Sequence, residues 1–310
     1  MSGEATMALD VESAQLLAQL AESGAKPFHL LDPVQARELL AGLRPEPGGP
    51  AMQHVEELQL GPTRLRVLKP DASVRGAILY LHGGGWVVGG LDDFDCFARR
   101  LAQRTQCTVV LVDYRLAPEF PFPAALDDVE RAAQWLVERR AKLAGAHGTL
   151  LIAGDSAGGN LAAVFAQRAA RHAEQHWALQ VLIYPVTQAD LDGPAYLDPQ
   201  RQLLLSREDM RWFWGHYLAD AGQRQQIDAS PLAARDLQGV PPAVVLTAEF
   251  DVLRDEGQAY ADRLAQAGIT VIERCFSGQM HGFVTLPMLR ASDQALEWLG
   301  EQIEPWLQPV

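Results

Sequence analysis

Cysteine is scarce in this chain. Cys96, Cys107 and Cys275 lie far apart and form no Cys-x-x-Cys pair. Cys107 and Cys275 fall in apolar, strand-like runs, where a thiol acts as a small hydrophobe, and this usage suits a reducing compartment while leaving one disulfide open. Long hydrophobic runs are also missing: no stretch approaches the ~18 apolar residues of a membrane span. The N-terminus lacks a basic start followed by an apolar run, so no secretory signal is visible and a cytoplasmic location is expected. Basic residues are outnumbered, 26 Lys and Arg against 39 Asp and Glu, for a formal charge of −13. That balance argues against nucleic-acid and anionic-membrane partners, which need clustered Lys and Arg. No internal repeat or low-complexity tract is present. His172 and His176 stand four apart, but Ala173-Glu174-Gln175 between them is not the His-Glu-x-x-His order, so they read as a solvated helix face and no metal is implied.

What is present fits one large α/β domain with insertions. The 310 residues are 48% hydrophobic and 21% charged, ordinary for a globular protein with a sizeable core. Residues 1–50 read as helices. Leu16, Leu17, Leu20 and Ala21 share one face. A second helix has Asp32 as N-cap, Pro33 at its first position, Gln35 at the capping-box position and Gly42 as its end. Residues 44–50 read as a linker. From Val55 to Leu60 and Thr63 to Leu68 apolar and polar residues alternate around Gly61-Pro62, which predicts a hairpin of half-exposed strands. Apolar runs then follow: Ala77 to Leu81, Cys107 to Val112, Leu150 to Ala153, Leu179 to Tyr184 and Ala243 to Ala248. Strands buried on both faces have this pattern. Ile269 to Phe276 is expected to form the last strand. Helical segments at Phe94 to Arg104, Ala124 to Leu143, Leu161 to His172 and Leu253 to Leu264 separate most of them, which predicts a mostly parallel sheet with helices on both faces. The stretch from Pro185 to Pro241 is longer than one crossover helix requires. Ser206 can cap a helix there that carries Trp212, Phe213, Trp214 and Tyr217.

The chemistry concentrates in four segments. Gly154-Asp155-Ser156-Ala157-Gly158 stands between a predicted strand and a predicted helix, the context in which a serine is lifted clear of a sheet on a tight turn. A serine hydroxyl is a poor nucleophile without a base. His281, soon after the strand ending at Phe276 and followed by Gly282-Phe283, fits that need. An acid should orient the imidazole. Asp251 lies just past the strand ending at Ala248 and is preferred, with Asp255 and Glu249 as rivals. His82-Gly83-Gly84-Gly85-Trp86 directly follows the strand Ala77 to Leu81. Three consecutive glycines let backbone N–H groups face a cavity, where with the N–H of Ala157 they can hold an oxyanion.

Together with Asp113-Tyr114-Arg115-Leu116-Ala117-Pro118-Glu119 and Leu253-Arg254-Asp255-Glu256-Gly257, these segments resemble the hormone-sensitive-lipase-like group of α/β-hydrolases, the bacterial family IV carboxylesterases. The resemblance runs from about residue 55 to the C-terminus. It implies an α/β-hydrolase domain over 51–310 with a cap insertion at about 187–235 and a second cap segment at 1–50. It assigns Ser156 as nucleophile, His281 as base and Asp251 as orienting acid, with Gly84, Gly85 and Ala157 as oxyanion donors supported by Gly83. Trp86, Phe213 and Tyr217 are candidates for the substrate pocket. Val252 stands where the family usually has proline. The implied activity is hydrolysis of short- to medium-chain acyl esters through an acyl-enzyme, with the ester and water as partners and no cofactor. Cleavage of an amide, lactone or carbamate by the same machinery is the alternative, and a non-catalytic small-molecule receptor a third reading. The strand Ile269 to Phe276 is a candidate sheet edge, so the chain is expected to be a monomer or a homodimer.

Overall fold

The alternating segments pair as expected in the computed structural model, which describes residues 8–43, 48–145, 148–172 and 176–307. Strands β1 (His54–Leu60) and β2 (Thr63–Lys69) form an antiparallel hairpin closed by Gly61-Pro62, with Leu60 opposite Thr63. The two strands are not equally half-exposed. β1 is an edge and mostly exposed, whereas β2 is mostly buried because its other side pairs with β4 (Thr108–Asp113). The fully buried runs become β3 (Ala77–Leu81), β5 (Leu150–Asp155), β6 (Trp177–Ile183) and β7 (Ala243–Phe250). With β8 (Val271–Met280) they complete a sheet in the order β1-β2-β4-β3-β5-β6-β7-β8. Every pair from β4 to β8 is parallel.

Several element boundaries differ from expectation. β8 runs four residues past Phe276 because a register shift opposite Ala248 and Phe250 lets Ser277–Met280 stay paired. His281 therefore follows the strand directly. The expected helix from Ala124 to Leu143 breaks at Arg139 (φ −106°, ψ 11°) into α4 (Ala124–Glu138) and a single turn, α5 (Arg140–Leu143). α6 begins at Ala157 rather than Leu161 and ends at Arg171, so the glycines after Ser156 are helical.

Helices α1 (Val11–Glu22), α2 (Pro33–Leu43) and α3 (Leu91–Thr105) precede α4 in the chain. α7 (Pro194–Leu197), α8 (Arg207–Tyr217), α9 (Arg254–Gln266) and α10 (Arg290–Ile303) follow α6. α3 and α10 cover one face of the sheet; α4, α6 and α9 cover the other. Leu16 and Leu17 of α1 pack against the core, while Ala21 is exposed. Asp10 caps α1, and its own amide donates to Gly278 O at 2.8 Å, tying the N-terminal segment to the end of β8. Asp32 and Gln35 form the reciprocal cap of α2. Gly42 lies within the last turn of α2, and residues 44–47 of the expected linker lie outside the described residues. Ser206 and Asp209 form a capping box on α8. Cys96, Cys107 and Cys275 are all free thiols, and burial pushes the thiol of Cys107 up to about 12. Among the described residues no helix is long and apolar enough to cross a membrane.

Candidate active site

β3 and β5 lie side by side with Leu81 opposite Gly154, so the glycine-rich segment and the Ser156 turn emerge together at the same edge of the sheet. Ser156 sits at φ 55°, ψ −117°, outside the regions a side-chain-bearing residue favours. Such a residue costs about 1–3 kcal/mol and persists only when its surroundings over-determine it. Here they do. The Ser156 amide donates to Ile183 O at 2.9 Å, and its carbonyl accepts from Asn160 N at 3.0 Å and Val186 N at 3.2 Å. The turn also needs a backbone without a side chain nearby: a Cβ on Gly158 would stand 2.0 Å from Leu81 O.

His281 brings the remaining groups into line. Its Nε2 is 3.0 Å from Ser156 Oγ and its Nδ1 is 2.7 Å from Asp251 Oδ2. Asp251 is wholly buried, and its other oxygen accepts the N–H of Leu253 at 2.9 Å. One acceptor site on that carboxylate is thus committed to its own turn and the other faces the imidazole. The rival carboxylates are engaged elsewhere. Glu249 accepts from Gly278 N at 2.7 Å, and Asp255 pairs with Arg254 and Arg201. The ring of His281 leans on Tyr184, centroids 4.7 Å apart.

The glycine segment is held from beneath. Asp155 is buried, and its Oδ1 accepts Tyr80 O–H at 2.7 Å and Gly83 N–H at 2.8 Å. Gly83 N–H is therefore turned towards the sheet. Gly84 and Gly85 line the cleft beside Ser156. Gly85 has φ 58°, and a Cβ there would meet the ring of Phe213 at 2.1 Å. Ala157 opens α6, and the first amides of a helix have no carbonyl partner within it. His82 is stacked between Tyr114 and Phe94, wholly buried and close to Gly83 O at 2.7 Å through Nδ1; burial lowers its pKa, so the ring is neutral. Tyr114 O–H donates to His82 O at 2.7 Å.

Ser156 and His281 face a cleft of about 80 Å³. Its apolar wall comes from two distant parts of the chain, with Phe28, Leu40 and Leu43 before the hairpin and Leu204, Leu205 and Phe213 in the long connection after β6. Phe28 and Phe213 pack with centroids 5.4 Å apart. Next to them both the amide and Nδ1 of His29 lie within hydrogen-bond distance of Asp209 Oδ1, at 3.0 and 2.7 Å. The two segments thus meet over the glycine segment.

A sheet of this order, a serine on a strained strand–helix turn and an imidazole reaching it belong to a recognisable group. The family model described as the alpha/beta hydrolase fold matches residues 78–285. The chain belongs to the hormone-sensitive-lipase-like α/β-hydrolases. It is similar to carboxylesterase NlhH of Mycobacterium tuberculosis, 40% identical over 215 residues that span 68% of this chain and 67% of that one. It is also similar to ethyl acetate hydrolase of Pseudomonas putida, 36% identical over 97% of this chain and 100% of that one. Among solved structures, the hyperthermophilic esterase of the archaeon Pyrobaculum calidifontis superposes with a TM-score of 0.88 at 36% identity, covering 96% of this chain and 99% of that chain.

Two residues expected at the α/β-hydrolase pocket do not reach it. Of Trp86, Phe213 and Tyr217, only Phe213 lines the cleft. Trp86 (φ 62°) stacks face to face on Tyr217, centroids 4.2 Å apart, and both are wholly buried with Trp214 behind the wall. They are packing residues. Sequence reasoning assigned no role to Asp155, although it stands directly before Ser156 in the serine motif. Leu40 and Leu43 were also missed, despite lying one turn apart on a helix whose caps were legible. His172 and His176 are both exposed, but α6 ends at Arg171, so they follow the helix and do not lie on its face as expected; among the described residues no group of three potential ligands could hold a metal.

Proposed function

We propose that this chain is a serine carboxylesterase acting on short- to medium-chain acyl esters, with Ser156 as nucleophile, His281 as general base and acid, and Asp251 as orienting acid. The observation that carries the reading is the continuous line from Ser156 Oγ through both nitrogens of His281 to buried Asp251, at 3.0 and 2.7 Å, opening on an apolar cleft. The esterase names of the relatives and of the superposing structure support the same reaction class.

In the first half-reaction Ser156 Oγ attacks the ester carbonyl carbon while His281 Nε2 takes its proton. The carbonyl oxygen becomes an oxyanion that collects the N–H groups of Gly84, Gly85 and Ala157, and Gly83 supports the segment through Asp155. Collapse breaks the ester C–O bond, and His281 returns the proton to the departing alcohol. In the second half, His281 removes a proton from water, the resulting hydroxide attacks the acyl carbon, and the carboxylic acid leaves as Ser156 regains its proton. Asp251 holds the imidazole tautomer with its proton on Nδ1 and stabilises the imidazolium formed twice per cycle.

Residues 1–50 and about 187–235 serve as the two parts of a cap over the domain 51–310, because their apolar side chains close the acyl side of the cleft. Free thiols support a cytoplasmic site of action. Hydrolysis of p-nitrophenyl butyrate by the purified protein tests the reading. Ser156→Ala should lower kcat on the order of 10⁶-fold; an unchanged rate would refute the mechanism. An acyl series from acetate to palmitate should peak between butyrate and octanoate, and a matched anilide should turn over far more slowly than the ester. Preference for emulsified long-chain triglyceride would replace esterase by lipase.

A further inference from the structure

Glu256 is a buried carboxyl that the proposed mechanism does not use. It lies in the first turn of α9, five residues after Asp251, and is 3% exposed. Its Oε1 accepts the N–H of Thr187 at 2.6 Å and of Gln188 at 3.3 Å, and its Oε2 lies 2.8 Å from Tyr196 Oη. Thr187 Oγ1 donates to Glu256 O at 2.8 Å, so the contact runs both ways. Four bonds join α9 to the strap 187–188 and to α7.

That strap begins at the nucleophile. Just before it, Val186 N donates to Ser156 O at 3.2 Å and Val186 O accepts from Asn160 Nδ2 at 3.0 Å. Tyr184, two residues earlier, packs on the His281 ring. On the other side, Glu256 shares a rigid turn with Asp251: Leu253 N donates to Asp251 Oδ1, and Gly257 N to Leu253 O at 3.0 Å. The Ser156 turn and the Asp251–His281 turn come from β5 and from β7 and β8, with β6 between them. Glu256 spans the gap with its bonds to the strap.

We infer that Glu256 is a positioning residue that sets where Ser156 stands relative to Asp251 and His281, by clamping the strap 186–188 to the turn that carries Asp251. This rests on the proposed serine-esterase reading. Geometry near van der Waals contact makes such a clamp matter, since a displacement of about 1 Å at a reacting centre can cost on the order of 10²-fold in rate.

The groups facing Glu256 also set its charge. Burial is the largest influence and Asp251 adds to it, pushing the carboxyl up to about 8, while the two amides and Tyr196 pull the other way. Tyr196 itself is raised well above its ordinary range by burial, then by Glu256, Asp251 and Asp190. Arg201 and Arg254 are taken up by Asp255. In this geometry Oε1 accepts from both amides and Oε2 accepts from Tyr196 O–H. Glutamine keeps both amides on its oxygen and presents its NH₂ to Tyr196 Oη, whose own O–H then turns away.

The test compares parent, Glu256→Gln, Glu256→Ala and Ser156→Ala on p-nitrophenyl butyrate, with competent serines counted by titration with a phosphonate ester. Per titrated site, Glu256→Ala should lose on the order of 10²-fold in kcat with KM little changed, and Glu256→Gln should restore kcat to within about threefold near pH 7. Above about pH 8 the parent's clamp gains a charge and its kcat should depart from that of Glu256→Gln, whose clamp does not titrate. Equal kcat per titrated site in Glu256→Ala and parent would overturn the inference and leave Glu256 a stability residue. If Glu256→Ala does not fold, superimposable pH profiles of Glu256→Gln and parent overturn it instead, and a divergence above about pH 8 supports it. An inactive parent, or an active Ser156→Ala, strikes the serine-esterase reading and not the clamp.

Discussion

Glu249, Asp251 and Asp255 crowd the end of β7 within seven residues, and their different partners tell them apart. Only Asp251 meets His281, while Glu249 caps Gly278 and Asp255 is shared by two arginines. Asp251→Asn should therefore lower kcat by about 10⁴-fold through the wrong imidazole tautomer, and Asp255→Asn should change it only a few-fold; steady-state rates on p-nitrophenyl acetate decide, and the reverse ranking would move the acid. Gly85→Ala faces a different obstacle, a positive φ and a Phe213 ring within 2.1 Å of the new methyl. Loss of one oxyanion donor costs about 10²–10³-fold in kcat, and that is the loss expected here. At this scale the contiguous motifs were legible, because Gly154 to Gly158 and His82 to Trp86 each encode their own backbone geometry. The acid was only ranked, because sequence gives no direction to a side chain past a strand end. Trp86 and Tyr217 were misplaced for the same reason: their mutual stacking turns both away from the cleft.

Helix α2 shows how an element can be legible by its caps and silent about its docking. Asp32, Pro33 and Gln35 predicted its start, and the start is there. Nothing in the sequence linked Arg37 to residues 50 to 82 positions away. Its Nε donates to Val87 O at 2.9 Å, one Nη to Ala117 O at 3.1 Å, and its fork closes on both oxygens of Glu119. Leu40 and Leu43 reach the cleft one and two turns further along. Arg37→Ala should raise KM for butyrate esters several-fold while leaving acetate turnover near the parent's, because the wall loosens and Ser156 does not move. The Arg37 fork, working against burial, holds Glu119 down to about 2. A depressed carboxyl contributes stability above its ordinary value near 4.5 that is lost as pH falls towards about 2; the pair is half-exposed, so the effect is small. Hydrogen exchange in residues 33–43 should quicken over that interval in the parent and not in Glu119→Gln. The β8 extension and the Arg139 break escaped prediction for a related reason, since a register shift and a helix kink are set by neighbours and not by local pattern.

For the whole molecule, the succession of apolar runs and helical segments was enough for a parallel sheet covered on both faces. Strand order was not legible, because a buried apolar run carries no information about which run it pairs with. The buried Glu256 has a consequence for the stability of the entire chain. Its folded pKa is raised, to about 8 from an ordinary 4.5. The folded state then holds a proton that the unfolded chain has released, so this contribution is present below about pH 4.5 and is lost as pH rises to about 8. Urea midpoints of the parent should fall relative to Glu256→Gln between about pH 5 and about pH 8, and a constant difference would contradict the raised value.

Neighbouring β3 and β5 carry the glycine segment and Ser156, and Gly158 packs against Leu81 O between them, whereas the apolar wall proposed to hold the acyl chain hangs on α2 and α8 outside the sheet. Heat should therefore take this protein apart in two stages that a choice of substrate can tell apart. As temperature rises, turnover of butyrate esters should fail first, when the outer helices loosen. Acetate esters, which need only the sheet-borne atoms, should continue to be cleaved until the sheet itself melts.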